Sequence, residues 1–280
     1  MRSWTSTTAD PPAHAGAPGT ASRFLPGARP RLIAHRGLAR DGAENTMRAF
    51  HDAIAAGATM LETDTRATAD GVALAVHDAT LERVAGDHRH VDTLRITDLP
   101  GIRVAGIEPI ALLEDVLGSF GDVPVNIDVK DRRGIVPAVG AVARTRSADR
   151  ICVTSFDASI ARRTVAGIRA TTGRAPARSP SRSGIAAFLA ASALEAPRGA
   201  VRRVLSPYGA IQVPPTYRGV PVVTARTVAA AHGAGCEVHV WTIDDRRTMR
   251  DLLRLGVDGI ITNRVDVLAE LLESAPPPRS

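Results

Sequence analysis

The segment RLIAHRG, residues 31–37, is the most informative part of this 280-residue chain. A short apolar run ends directly in a histidine and an arginine, which predicts a buried β-strand with two ionisable groups at its carboxyl end. From this point on, short apolar runs alternate with longer stretches of helical periodicity. That alternation is typical of a parallel sheet built from repeated β/α units.

The periodicity predicts eight strands and eight helices. The strands are expected at 31–35, 60–65, 123–129, 150–154, 210–213, 220–223, 237–242 and 259–262. The helices are expected at 46–56, 112–120, 135–143, 159–168, 185–193, 225–234, 246–255 and 265–272. This number of units in ~250 residues is what a TIM-like (β/α)8 barrel of the α/β class requires. A doubly wound open sheet is the alternative.

A small insertion is expected after the second strand. Asp70 and Gly71 predict a tight hairpin turn and a returning strand at 72–76. Residues 79–109 are polar and weakly periodic, which favours a loop region over the barrel mouth. Residues 31–280 are expected to form a single barrel domain. Residues 1–30, rich in Ala, Pro, Gly, Ser and Thr, are expected to be a disordered tail.

Composition narrows the functional classes. The net charge of +6 suggests an acidic partner, but the arginines are dispersed and aromatic residues make up only 3%, so nucleic-acid binding is not expected. The longest apolar runs reach about half of the ~20 residues of a membrane span, so no transmembrane helix is expected. Cys152 and Cys236 are the only cysteines, and no export signal is expected from the polar, proline-containing start of the sequence. A reducing cytoplasm is therefore expected, although a single disulfide stays open.

Charged side chains collect at predicted strand ends. Glu62 and Asp64 are two residues apart on the second strand and therefore share a face. Asp128 and Lys130 repeat this spacing on the third strand, and Lys130 is the only lysine of the chain. A single carboxylate at such a place is commonly a helix cap. Several that converge on one barrel mouth instead favour a site for a divalent cation and a phosphate.

The order of these motifs resembles that of glycerophosphodiester phosphodiesterases. The motifs are His35-Arg36-Gly37, Glu44-Asn45-Thr46, Glu62-Thr63-Asp64, Asp70-Gly71 leading to His77-Asp78, and Asn126-Ile127-Asp128-Val129-Lys130. Trp241-Thr242 and the segment from Asp258 to Asn263 are similar to the last two strands of that family. The resemblance covers about 31–272.

The resemblance implies a role for each matching residue. His35 and His77 would be the catalytic pair. The phosphate or substrate would be held by Arg36, Lys130, Glu44 and Trp241, with Glu44 either a partner of Arg36 or an additional metal contact. A divalent cation, magnesium or calcium with manganese as a third candidate, would be bound by Glu62, Asp64 and Asp128. The family more often has Glu at the position of Asp128 and often Asp at that of Asn263.

The implied function is metal-dependent hydrolysis of a small glycerophosphodiester, or of a lysolipid through its head group, to glycerol phosphate and an alcohol. A related barrel phosphodiesterase acting on lysophospholipids or phosphoinositides is one alternative. A catalytically inactive barrel that binds a phosphorylated ligand is another. The sequence leaves the released alcohol, the assignment of acid and base, and the oligomeric state open.

Overall fold

The computed structural model describes residues 25, 27–193 and 198–274. Its strands are β1 (Arg31–His35), β2 (Met60–Ala67), β3 (Ala73–Ala75), β4 (Thr80–Leu81), β5 (Asp87–His90), β6 (Val125–Val129), β7 (Ile151–Thr154), β8 (Ala177–Arg178), β9 (Ala210–Val213), β10 (Thr216–Tyr217), β11 (Val220–Pro221), β12 (Glu237–Val240) and β13 (Gly259–Thr262).

Helices connect most of the barrel strands. They are α1 (Met47–Ala55), α2 (Glu82–Ala85), α3 (Leu113–Ser119), α4 (Ile135–Arg144), α5 (Ala158–Thr172), α6 (Arg182–Ala193), α7 (Arg198–Leu205), α8 (Ala225–Gly233), α9 (Arg246–Leu255) and α10 (Val265–Glu273). Three short 3-10 turns occupy Val91–Thr93, Ile96–Gly101 and Ala148–Arg150.

Eight parallel strands form a nearly closed barrel. They follow the order β8-β7-β6-β2-β1-β13-β12-β9, which leaves a seam between β8 and β9. Because the first strand lies between the second and the last, the sheet curls round on itself, as in a TIM-like barrel. The predicted fold class is thereby confirmed, and the open-sheet alternative is wrong.

One predicted strand is wrong, and two elements were not predicted. Residues 220–223 do not supply a barrel strand, because Val220–Pro221 pairs antiparallel with Thr216–Tyr217 in a separate two-stranded hairpin. The missing barrel strand is the two-residue β8, which is too short to show a period in the sequence. Helix α7 was also not predicted. Its sequence RGAVRRVL is rich in arginine, which conceals a short apolar stripe.

The barrel has an outer and an inner core. The outer core lies between the sheet and the helices and includes Phe50, Leu61 and Phe188. The inner core is a small group inside the barrel, formed by Ile33, Met60, Cys152 and Ile261. Alternate residues of each strand point to opposite faces, so the inward-facing series of β1 and β2 continues to side chains at the mouth.

The segment after β2 forms the predicted hairpin. Gly71, with φ +83°, closes the turn, and β3 runs antiparallel to β2 with Thr65 opposite Ala75. Residues 79–109 contain β4, β5, α2 and two 3-10 turns, packed on their own apolar group around Leu74 and Leu81. The division into a tail and one domain stays a prediction, since residues 1–24 and 26 lie outside the described residues.

Across the described ranges, every helix falls short of the length and apolar character that crossing a membrane requires. Cys152 and Cys236 are both buried as free thiols.

Candidate active site

The His35-Arg36-Gly37 turn is held in an unusual backbone conformation. Arg36 has φ +57° and Gly37 φ +83°, both in the left-handed region. A side chain at Gly37 would place its Cβ 2.6 Å from the backbone of Ala49, so only glycine fits there. The amide of Arg36 donates to the backbone oxygen of Glu62 at 3.0 Å, which fixes this turn against β2.

The carboxylates predicted on β2 and β6 lie side by side. The two strands are parallel, with Asp64 in register with Asp128. The Lys130 ammonium lies 2.7 Å from Asp64 Oδ1 and 2.6 Å from Asp128 Oδ2. Arg36 Nε lies 2.8 Å from Asp64 Oδ2, at ion-pair distance but without hydrogen-bond alignment. Asp64 is therefore held between two cations.

Glu62 has a different electrostatic environment. It is buried, and burial together with the neighbouring charges of Asp64 and Asp128 raises its pKa well above the usual range, despite Arg36 and Lys130. For Asp64, burial acts in the same direction, but Lys130 and Arg36 outweigh it and lower the pKa. Two carboxyl groups on one strand face therefore differ in their affinity for a proton.

The tautomer of His35 follows from its partners. Asn263 Nδ2 donates to Asp244 Oδ2 at 2.8 Å, so Asn263 presents its Oδ1 to His35 Nδ1, also at 2.8 Å. An amide oxygen accepts, so His35 carries its hydrogen on Nδ1 and leaves Nε2 as a lone pair. Burial and the charge of Arg36 lower the pKa of His35. Its neutral form is therefore favoured.

His77 is held by a carboxylate. Its Nδ1 lies 2.7 Å from Asp78 Oδ1, and Asp78 Oδ2 accepts from Arg83 Nε at 2.6 Å. Arg83 also donates to Glu44, which in turn accepts from Arg36 Nη1 at 2.9 Å. Glu44 is thus in contact with Arg36, which agrees with the first of its two predicted roles, a partner of Arg36 or an additional metal contact. A continuous chain of charge-assisted contacts links His77 to Arg36 and the carboxylates.

A cavity of about 600 Å³ brings the predicted residues together. It is lined by His35, Arg36, Glu62, Asp64, His77, Asp128, Lys130 and Trp241. Glu44 lies outside this lining, behind Arg36. The opposite wall is apolar and aromatic, with the Phe156 and Trp241 ring centroids 6.2 Å apart and nearly edge to face. Helix α6 adds Ile185, Ala186 and Leu189.

Sequence analysis missed several side chains of the site. Thr46 caps α1, and the neighbouring Asn45 donates to Asp64 Oδ2 at 3.1 Å, a contact that was not predicted. Asn45 has a positive φ, +57°, and no local pattern in the sequence indicates its contact with Asp64. Asp244 lies on the loop after β12, and Arg83 lies on the four-residue helix α2, which is too short to show a period in the sequence. Only a tertiary contact identifies them.

The three carboxylates form a possible set of metal ligands. Their oxygens are the hard donors that magnesium and calcium prefer. Burial, together with the like charges of Asp64 and Asp128, raises the pKa of Glu62, and a cation beside these groups would oppose that rise. As the described side chains stand, no group of three or more His, Cys, Asp or Glu is placed to hold one ion. The Lys130 ammonium forms ion pairs with two of the three carboxylates, those of Asp64 and Asp128. Shared metal binding therefore stays a prediction.

Comparison with known proteins agrees with this geometry. The sequence profile of the glycerophosphoryl diester phosphodiesterase family matches residues 35–267. The chain belongs to this family. A probable glycerophosphodiester phosphodiesterase 2 from Mycobacterium tuberculosis is 36% identical over 241 residues, which is 86% of this chain and 89% of that protein. The predicted enzyme class, a phosphodiesterase that hydrolyses glycerophosphodiesters, is confirmed by this family assignment. Family members generally depend on a divalent cation.

Solved structures of the family share the fold. A phosphodiesterase from Oleispira antarctica, in complex with the product sn-glycerol-3-phosphate, superposes with a TM-score of 0.69 at 18% identity, covering 88% of this chain and 98% of that one. A putative family enzyme from Silicibacter pomeroyi gives 0.69 at 21% identity, with 90% and 96% coverage. At these identities the likeness establishes the barrel and no more.

Proposed function

We propose that this chain releases glycerol phosphate and a free alcohol from glycerophosphodiesters, with His35 and His77 as the acid and base. The observation that carries the proposal is that both imidazoles line one cavity with Arg36 and Lys130, each held by its own polar partner. A phosphodiester requires neutralised non-bridging oxygens, a base for the attacking hydroxyl and an acid for the leaving alcohol. This cavity supplies residues for all three needs.

The different partners of the two histidines suggest different roles. His35 is the base, because its Nδ1 hydrogen is engaged by Asn263 and its lowered pKa keeps Nε2 unprotonated near neutral pH. His77 is the acid, because the Asp78 carboxylate at its Nδ1 is the partner expected of a histidine that donates a proton through Nε2. In the proposed first step, a neighbouring glycerol hydroxyl gives its proton to His35 and attacks phosphorus, while His77 protonates the departing alcohol. Water then opens the cyclic phosphate with the two roles reversed.

A divalent cation is the second part of the proposal. Glu62, Asp64 and Asp128 would hold it, as magnesium or calcium, with manganese as the third candidate. Such a cation acts as a Lewis acid towards phosphoryl oxygens. Arg36 and Lys130 contribute positive charge at the same end of the cavity, and the Glu44 carboxylate keeps Arg36 directed to that end. Trp241 forms part of the facing wall.

Lysophospholipids are a second candidate substrate class. The wall formed by Ile185, Leu189 and Val222 gives an apolar group a place to bind beside the charged end. A rat protein named lysophospholipase D GDPD1 is 34% identical to this chain over 119 residues, 38% of each protein. A phosphoinositide substrate or a purely binding role has no comparable support. No nucleic-acid partner is proposed.

The cysteines support a reducing location. Burial raises the pKa of Cys152, and it raises the pKa of Cys236 to about 12, so neither is a reactive thiolate at neutral pH. Free, buried thiols are common in proteins of the cytoplasm. We therefore propose a cytoplasmic location, and fractionation of cells with an antibody to the chain would test this.

The decisive experiment is a substrate panel with metal control. The purified chain would be treated with chelator and assayed on glycerophosphocholine, glycerophosphoethanolamine and lysophosphatidylcholine, with magnesium, calcium or manganese restored separately. We expect turnover of at least one diester, loss with chelator and recovery with a divalent cation. Absence of turnover on every diester under every cation would overturn the hydrolase assignment. Turnover that is unchanged by chelator would overturn only the proposed role of the metal.

A further inference from the structure

The rim of the mouth beside the apolar wall has an unusual surface. Phe156, Tyr217 and Val220 are large apolar residues that remain 51%, 59% and 65% exposed. Phe156 follows β7, whereas Tyr217 and Val220 lie on the hairpin after β9, and both aromatic residues line the cavity. Exposed apolar groups gathered beside a substrate opening indicate a contact surface more strongly than isolated ones do.

The hairpin that carries Tyr217 and Val220 has a well-defined backbone structure. Tyr217 and Val220 are direct cross-strand partners. Arg218 and Gly219 connect them with φ of +51° and +79°, the two positive values that a tight two-residue hairpin turn requires. Because cross-strand partners share a face, the turn holds both apolar side chains together on the solvent side. The turn also places Arg218 at the tip.

Arginines accompany the apolar residues. The Arg182 guanidinium stacks 4.6 Å from the ring centroid of Phe156, and that of Arg218 lies 5.6 Å from the ring of Tyr217. Both arginines are exposed, and neither has an ion-pair partner among the carboxylates of residues 27–193 and 198–274. The rim therefore combines cations that lack a carboxylate partner with aromatic rings. This combination suits the interface of an anionic lipid surface.

We propose that this rim, formed by Phe156, Arg182, Tyr217, Arg218 and Val220, docks the enzyme on an anionic phospholipid membrane. The aromatic and aliphatic side chains would enter the interfacial region while the two arginines contact lipid phosphates. The inference rests on the proposed function for its purpose, because the apolar wall of the cavity begins at this rim and would receive substrate from the lipid surface. Docking itself requires no catalysis.

Vesicle flotation of the full chain tests the proposal. We expect it to float with vesicles of phosphatidylcholine and phosphatidylglycerol, and much less with phosphatidylcholine alone. Arg218→Gln should lower the partition coefficient about fivefold, and Val220→Ser should lower it severalfold. The matched controls are Arg163→Gln on α5 and Val136→Ser on α4, both at exposed positions outside the cavity lining, and both should float like wild type.

The outcomes separate docking from catalysis. Wild-type chain that does not float, or control variants that lose flotation as much as the rim variants, would overturn the proposal. So would self-association abolished by Val220→Ser, because the rim would then contact a second copy. Lost flotation with unchanged hydrolysis of glycerophosphocholine in Val220→Ser supports docking. Flotation by a chain that hydrolyses nothing would count against the proposed function and leave docking intact.

Discussion

The barrel contains two buried charge clusters, one at each end, and they differ in how completely their charges are paired. At the base, Glu237 accepts from Arg31 at 2.9 Å and contacts His239 at 3.0 Å, while Asp258 is held by Arg29 and His232. At the mouth, Glu62 has one direct hydrogen bond, from the Arg36 amide at 3.2 Å, and its His35 contact is at 3.9 Å.

The pKa directions express the same difference. Burial raises the pKa of Glu237, but hydrogen bonds from His239 and Arg31 outweigh it and bring the value to about 2. For Glu62, burial and like charges prevail and the pKa rises. The paired charges at the base are expected to stabilise the barrel, whereas a buried carboxyl group with a raised pKa beside two others, as at the mouth, is typical of a functional site. The strand direction decides which end of the barrel carries the functional cluster, because catalytic groups of such barrels lie at the carboxyl ends of the strands.

The largest expected effect is loss of catalysis from the mouth without loss of folding. His35→Ala or His77→Ala should lower kcat by ~10²- to 10⁴-fold, since each removes a positioned acid or base. Steady-state kinetics on glycerophosphocholine, with circular dichroism to verify folding, would measure this. His88→Ala is the matched control, because His88 is an exposed histidine of the insertion and should leave kcat unchanged. Wild-type kcat in either active-site variant would contradict the assignment.

The base should show the opposite behaviour. Glu237→Gln removes the charge that pairs with Arg31 and His239, and the free energy of unfolding at pH 7 should fall by ~3 kcal/mol, as for other broken buried pairs. Urea denaturation would measure it, and kcat should stay at the wild-type value. A variant as stable as wild type would show that the base cluster is not structural.

The effect of Glu237→Gln on stability should depend on pH. Because the pKa of Glu237 is about 2 in the fold against 4.5 for an ordinary glutamate, its contribution is fully present above pH 4.5 and is lost as pH falls towards 2. The stability gap between wild type and Glu237→Gln should therefore narrow across this interval. Thermal melts at successive pH values would follow it. A constant gap would mean that the carboxylate charge does not cause the effect.

The smallest expected effect is a gain of stability at the mouth. Glu62→Gln removes a buried carboxyl group beside Asp64 and Asp128, so in chelator the free energy of unfolding should rise by about 1 kcal/mol. With the divalent cation restored, turnover should fall below that of wild type. Glu273→Gln, at an exposed position of α10, is the control and should change stability by less than ~0.5 kcal/mol. Destabilisation by Glu62→Gln would show that the mouth, like the base, is paired for stability.

Local sequence patterns were enough to predict the barrel class and to place His35, Glu62, Asp64, Asp128 and Lys130 on, or directly after, the strands that line the mouth. Strand periodicity of two and the parallel direction of β/α units suffice for that, because both are local properties that repeat along the chain. The same local signals misassigned residues 220–223 and overlooked the two-residue β8. An apolar run forms a β-strand only where a neighbouring strand accepts its hydrogen bonds. The local sequence does not show which strand that neighbour will be.

Tertiary structure alone decided how the charges are distributed. Asp244 orients Asn263, which selects the tautomer of His35 across 228 residues, and Lys130 rests on Asp64 of another strand. The apolar rim likewise combines residues from three separate β/α units. Such contacts join positions with no sequence relationship, and their energies depend on burial and distance, which exist only once the chain has folded.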